Sequence, residues 1–237
     1  MNRIFNRFSQ AVTCAQRART IATSLAVLLV ASACQSTPYD YSALVESNPK
    51  SILVLAPLDE TLEVDATYGA LSTLTRPLAE QGYYVFPVAM VDQVMRSNGL
   101  PDPADMHQVP LAKLKEIFEP DAVLYVTVSN WGTSYQVINS QTAVTLQARL
   151  IDARTGTTLW QGASTVAQNS GGSGLGGMLA SALVSQVVSS ASDPSRDLSA
   201  QAAHTLLRQT NRGLLPGPYD PEHASAIQDY KEAVAKQ

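Results

Sequence analysis

Cys34 is the residue with the plainest chemistry in this chain. It closes the run Leu28-Leu29-Val30-Ala31-Ser32-Ala33-Cys34, after a basic amino terminus. A thiol in that setting is an acceptor for a diacylglyceryl group. Cleavage before it exposes an amine that can take a further acyl chain such as palmitate. The leader has the matching parts: Arg3, Arg7, Arg17 and Arg19 form a positive region, and no acid precedes Cys34. The apolar stretch Ile21 to Val30 is about ten residues long, whereas a bilayer-spanning helix needs roughly 20. Ala31-Ser32-Ala33 also fits the ordinary secretory peptidase, which is the competing reading of the same residues. Gln35 stands where an Asp would favour retention at the inner membrane, by analogy with known lipoproteins, so the expected location is the outer membrane, lipid-anchored and facing the periplasm. Three acyl chains exceed the two signals that stable anchoring needs.

Other residues offer less. Gly172-Ser173-Gly174-Leu175-Gly176-Gly177 spells a G-x-G-x-x-G between a strand and a helix, but no strand follows to complete a βαβ unit. No Lys-Ser or Lys-Thr follows it as a Walker loop requires, so it reads as a hinge and no cofactor is expected. Asp59, Glu60, Glu63 and Asp65 cluster after the first strand and read as a solvated acidic loop. His107, His204 and His223 lack any metal-ligand spacing and read as surface residues. There is no G-x-S-x-G elbow. The expectation is a protein with no catalytic residues, no metal and no enzyme activity. Cys14 lies in the leader, so the mature chain keeps only Cys34, which lipidation occupies, and its stability must come from a hydrophobic core rather than a disulfide.

Charge excludes one class of partner. The full chain carries a formal −4; removing residues 1–33 with their four arginines leaves the mature chain at −8. That balance excludes nucleic acid and leads to the expectation that no basic patch for anionic lipid headgroups exists.

The elements that would position these residues alternate between helix and strand. Ser51 to Pro57 is a continuous apolar run, expected of a strand buried on both faces. Tyr68 to Gln81 has helical spacing through Leu71, Leu74 and Leu78, with Pro77 as an expected kink. Tyr83 to Val88 reads as a second buried strand, Ala89 to Ser97 and Pro110 to Phe118 as helices, and Asp121 to Val128 as a third strand. The pattern then changes to period two. Tyr135 to Ile138, Ala143 to Ile151 and Thr157 to Val166 read as an antiparallel meander with one solvated face, turning at Asp152-Ala153-Arg154-Thr155-Gly156. Leu175 to Ser190 reads as a helix with the stripe Leu175, Met178, Leu179, Leu183 and Val187, and Pro194 to Gln209 as another capped by Asp193. The stripe either covers the sheet or meets a partner or a second copy. Trp131, with Gly132 and Tyr135, either presents an aromatic patch to a partner or serves the core or a bulge. The expected fold is a single α/β (α+β) domain: a mixed sheet with early βαβ-like units, a carboxyl-terminal antiparallel meander and packed helices. The expected divisions are a signal peptide at 1–33, a lipidated tether at 34–49 whose Tyr39-Asp40-Tyr41 either packs at the domain entrance or belongs to a solvated stalk, the domain at 50–210, and a tail at 211–237 whose last residues form either a weak amphipathic helix or a disordered end. A tether of about 14 residues would reach at most roughly 50 Å.

Cys34, the run Ile52-Leu53-Val54-Leu55-Ala56-Pro57, the tract Gly82 to Val88 and the turn segment Leu150 to Trp160 together resemble a family of bacterial outer-membrane lipoproteins of unknown function, one of them a surface vaccine antigen. The resemblance spans Tyr39 to Ser190. A looser likeness, carried by Asp121-Ala122-Val123 and by Thr155-Gly156 leading to Trp160, runs to the curli-export lipoprotein, to lipoprotein activators of penicillin-binding proteins and to the amino-terminal domain of TolB. It implies an envelope protein that works by interaction: an accessory to an export system or, alternatively, an activator of a cell-wall synthase or a periplasmic ligand-binding protein. No pair of roughly ten-residue strands with a lipid-facing apolar side is expected, so the chain is not read as a pore.

Overall fold

A computed structural model describes residues 39–135, 140–169, 194–210 and 212–235. Its sheet grows outward from β1 (Ser51–Val54), the apolar run with no polar face to give to water. Ile52, Leu53, Val54, Leu55 and Ala56 are all buried, as a strand covered on both sides requires. Asp121 fixes where this strand starts. Its carboxylate accepts the Lys50 and Ser51 amides at 2.9 and 3.0 Å, and its own amide donates to the Ser51 hydroxyl at 3.0 Å. β1 pairs in parallel with β3 (Tyr84–Val85) on one side and with β4 (Ala122–Tyr135) on the other. After a break at Leu55 to Pro57, β2 (Leu58–Asp59) rejoins β4 further along. β5 (Ser140–Asp152) and β6 (Thr158–Asn169) complete an open mixed sheet in the order β3-β1-β4-β5-β6, the last three antiparallel.

The period-two pattern sorts the faces of the meander. Leu124, Val126, Val128, Leu146, Leu150 and Trp160 are buried on one face, while Gln147, Arg149 and Gln161 stand exposed on the other. α2 (Ala66–Glu80) and α6 (Pro194–Arg208) pack against each other and cover the apolar face. α3 (Val88–Ser97) lies on β1, and α4 (Pro103–His107) on β2. α5 (Leu111–Phe118) contributes the fully buried Leu114. Asp102 caps α4 by accepting the Ala104 amide at 2.9 Å, with Pro103 as its first residue. The expected single mixed α/β domain is the fold observed.

Several boundaries differ from expectation, each for a physical reason. β4 runs unbroken to Tyr135 where the sequence suggests two separate strands. A register shift between Val128 and Asn130 absorbs the change of pattern, so the strand bulges rather than stops. β4, β5 and β6 are 14, 13 and 12 residues long, so alternating strands of pore-like length do exist, but their apolar face is a core face under α2 and α6. The expected second strand shrinks to two residues at the sheet edge. α2 continues past Pro77 to Glu80. The proline sits in the last turn, so little helix remains beyond the bond it forfeits, and the Gln81 amide bonds back to the Pro77 carbonyl at 3.2 Å.

Folded structure also reaches further along the chain at both ends. Residues 39–49, expected as tether, form α1 (Ser42–Ser47) and its approach, with Tyr41 and Leu44 in the core. The Tyr41 hydroxyl donates to the Gly213 carbonyl at 2.6 Å. Residues 212–220, expected to be tail, pack on the end of α2. The buried Gln81 amide donates to the carbonyls of Leu207 and Leu214 at 3.0 and 2.9 Å. Gly217 and Tyr219 donate to the carbonyls of Gln81 and Gly82. Gly82 has φ +76°, and a β-carbon there would lie 2.2 Å from the Asp220 nitrogen, so both its turn and its neighbour demand glycine. α7 (His223–Ala235) follows, and its Tyr230 ring meets Tyr41 edge-on at 5.6 Å.

Candidate functional site

The uncovered face of the sheet carries a wide-mouthed groove of about 610 Å³. Its floor follows from strand register. Tyr125 on β4 pairs with Arg149 on β5, which pairs with Gln161 on β6, so three long side chains form one row across the sheet. Thr127, Gln147 and Ala163 form the next row. Alternation alone puts all six on the same side.

His107, at the end of α4, closes one flank. Its Nε2 is 2.9 Å from the Ala56 carbonyl oxygen, and its ring meets Tyr125 edge-on at 5.2 Å. Arg149 extends over the other part of Tyr125, its guanidinium carbon 5.9 Å from the ring centroid. Tyr39 and Arg212 close the opposite flank. The Tyr39 hydroxyl accepts the outward Gln161 amide at 2.8 Å, satisfying a free donor on the edge strand. Arg212 is held by its backbone: its carbonyl accepts the indole N–H of the fully buried Trp160 at 2.9 Å, leaving the side chain exposed.

Burial pushes the His107 pKa down and the adjacent Arg149 cation adds to the effect, against the opposing bond to Ala56. Burial likewise pushes Tyr125 up, with Arg149 opposing. At neutral pH the groove therefore holds a neutral imidazole, a neutral phenol and two guanidinium groups. No acidic residue lines it among those described. The chemistry on offer is recognition of an anionic or hydrogen-bond-accepting group by Arg149 and Arg212. A locally cationic groove exists on an acidic domain, which corrects the expectation drawn from net charge.

Two titratable side chains elsewhere, Asp152 and His223, hold the fold. The Asp152 carboxylate accepts the Ser47 hydroxyl at 2.6 Å and the amides of Arg154 and Thr155 at 2.8 and 2.9 Å. Desolvation raises its pKa, but these bonds and Arg154 outweigh it and lower the value to about 2. His223 Nδ1 lies 2.7 Å from the Pro216 carbonyl. His107 is half-buried, not the surface residue expected, because α4 turns it in against Tyr125. Asp59, Glu60, Glu63 and Asp65 are exposed, and no group of three His, Cys, Asp or Glu among the described residues is placed to hold a metal.

Of the residues singled out from sequence, Trp131 is described and is 6% exposed. It packs over Gly69 of α2, where a β-carbon would fall 2.6 Å from the indole, so the core reading replaces the surface patch. Cys34, the stripe Leu175, Met178, Leu179, Leu183 and Val187, and the glycine run 172–177 lie outside the described residues. Sequence reading missed the groove. The signal was present in the polar alternation of Thr127, Gln147 and Arg149, but nothing in it indicates that His107, Tyr39 and Arg212 arrive from three other places in the chain.

Residues 39–219 match the family described as "Putative lipoprotein GNA1162-like". The chain is 45% identical over 200 residues to "Putative lipoprotein NMB1124/NMB1162" of Neisseria meningitidis, covering 82% of this chain and 93% of that protein. Among solved structures, the lipoprotein GNA1162 from Neisseria meningitidis is 47% identical with a TM-score of 0.50, covering 60% of this chain and 99% of its own. A dodecamer of PelC from Paraburkholderia phytofirmans is more distant, 16% identical with a TM-score of 0.42 over 73% of this chain and 93% of its own.

Proposed function

This chain belongs to the GNA1162-like lipoprotein family, and from that premise we propose that it is an outer-membrane lipoprotein, acylated at Cys34, that acts without catalysis as an interaction component of an envelope export system. The observation that carries the membrane-proximal part of this reading is where the fold begins; the export role is carried over from the resemblance alone. Tyr39 is already bonded to β6 and Tyr41 already in the core. Only residues 35–38 separate the acylated residue from the domain, and five residue steps reach at most about 18 Å. The domain is a module held close to its membrane, not a long-armed one. The titratable side chains support the non-catalytic part, because Asp121, Asp152, His107 and His223 each make bonds that fix elements of the fold.

Two measurements test it. Cells fed an alkyne fatty acid should label the protein at Cys34, and Cys34→Ser should abolish both the label and membrane fractionation; a variant that stays acylated refutes the anchor. A deletion strain should fail to deliver at least one product to the cell surface, and an unchanged surface proteome and exopolysaccharide refute the export role.

A further inference from the structure

We propose that the groove formed by Tyr125, Arg149, Gln161, His107, Tyr39 and Arg212 docks onto the anionic lipid headgroups of the membrane that holds the anchor, and so sets the orientation of the domain. The inference rests on the Cys34 anchor proposed above. Its first support is the path of the chain. The tether enters the domain at Tyr39, which is itself a wall of the groove. An acylated residue five steps upstream keeps that wall within about 18 Å of the membrane surface, near enough for the groove to reach it.

Charge complementarity is the second support. The mature chain is acidic, and an acidic domain is repelled by an anionic surface unless it turns a cationic face towards it. Arg149 and Arg212 lie exposed in the groove with no acid among its lining residues. The acid nearest in sequence to the tether, Asp40, is exposed but is not among the residues that line the groove; its carboxylate accepts the Ser42 amide at 2.9 Å and the Tyr230 hydroxyl at 3.1 Å. Gln147 and Gln161 add uncharged donors, and Tyr39 and Tyr125 supply the amphipathic rings that suit a bilayer interface. Each basic residue close to an anionic surface shifts binding by about fivefold.

The experiment uses the full lipidated protein in vesicles. Once Cys34 is acylated the mature chain has no free thiol, so Ala163→Cys gives a single labelling site at the groove. Energy transfer from that label to an acceptor on lipid headgroups is read in pure phosphatidylcholine vesicles and in vesicles with 30 mol% phosphatidylglycerol. Transfer should rise in the anionic vesicles and fall back in 0.5 M NaCl. Arg149→Gln with Arg212→Gln should lower the docked-to-undocked ratio by about 25-fold, and the pair Arg149→Lys with Arg212→Lys should restore most of it. Equal transfer in both vesicle types, or a double glutamine variant that behaves as wild type, overturns the docking. Protein that does not float with vesicles of either composition overturns the anchor instead, so the two failures are told apart.

Discussion

Asp152→Asn separates charge from shape at the junction between α1 and the β5–β6 turn. The aspartate carboxylate receives one hydroxyl and two amides at 2.6 to 2.9 Å. Its side chain is 3% exposed and has Arg154 at 3.5 Å. An asparagine oxygen still accepts the Arg154 and Thr155 amides, so the turn keeps its caps and loses its charge. The folded pKa of about 2 against an ordinary 3.8 corresponds to about 2.4 kcal/mol of stability at pH 7. The sign follows from the lowered value: the contribution is complete above pH 4 to 5 and fades as pH falls through 3.8 towards 2. At pH 3 about 1.3 kcal/mol of it remains. Urea unfolding of wild type and variant at pH 7 and pH 3 gives both values. The expected gap is about 2.4 kcal/mol at pH 7 and about 1 kcal/mol smaller at pH 3. A gap under 0.5 kcal/mol at pH 7, or one that does not change with pH, would refute the assignment.

Three further outcomes follow from the geometry. Gly82→Ala should cost more than about 2 kcal/mol, since a left-handed alanine alone costs about 1–2 kcal/mol and its methyl strikes the Asp220 backbone; limited proteolysis should open residues 212–235 before the rest. Tyr41→Phe should cost about 1–2 kcal/mol by leaving the Gly213 carbonyl without its buried donor, and a melting temperature equal to wild type would contradict that bond. The pKa of His107 is lowered from its ordinary 6.5 in the folded chain, chiefly by burial, so the fold favours the neutral imidazole and loses stability as pH falls below 6.5 towards the lowered value. His107→Phe should therefore flatten the decline in stability between pH 7.5 and 5.5, whereas an unchanged pH profile would show that another group governs it.

The sequence was most readable where a face repeats. β1 declared itself by having no polar residue from Ile52 to Ala56, and β5 by strict alternation from Val144 to Leu150. It was least readable where long-range contacts decide. Ser42–Ser47 is a six-residue helix that no propensity would sustain alone. It exists because Leu44 and Tyr41 bury themselves and Ser47 reaches Asp152, 105 residues away. Residues 211–237 read as a tail, yet Gln81 and the Tyr83 hydroxyl draw the Leu214 and Leu215 carbonyls onto the end of α2 and the approach to β3. Net charge misled for a related reason: it averages over the molecule, whereas Tyr125, Arg149 and Arg212 meet only after the strands pair and Trp160 fixes the Arg212 backbone.

The meeting of Tyr41 with Tyr230, and of Asp40 with the Tyr230 hydroxyl, gives the domain a nearly circular chain path. Joining the two ends would add a loop too short to cost much closure entropy. New termini opened at the exposed Asn98-Gly99 turn, where Gly99 has open space around it, would leave the sheet order intact. An acyl group attached there would hang the same fold from a different point. Comparing that permuted protein with the native one would separate what the domain does from which way up it is held.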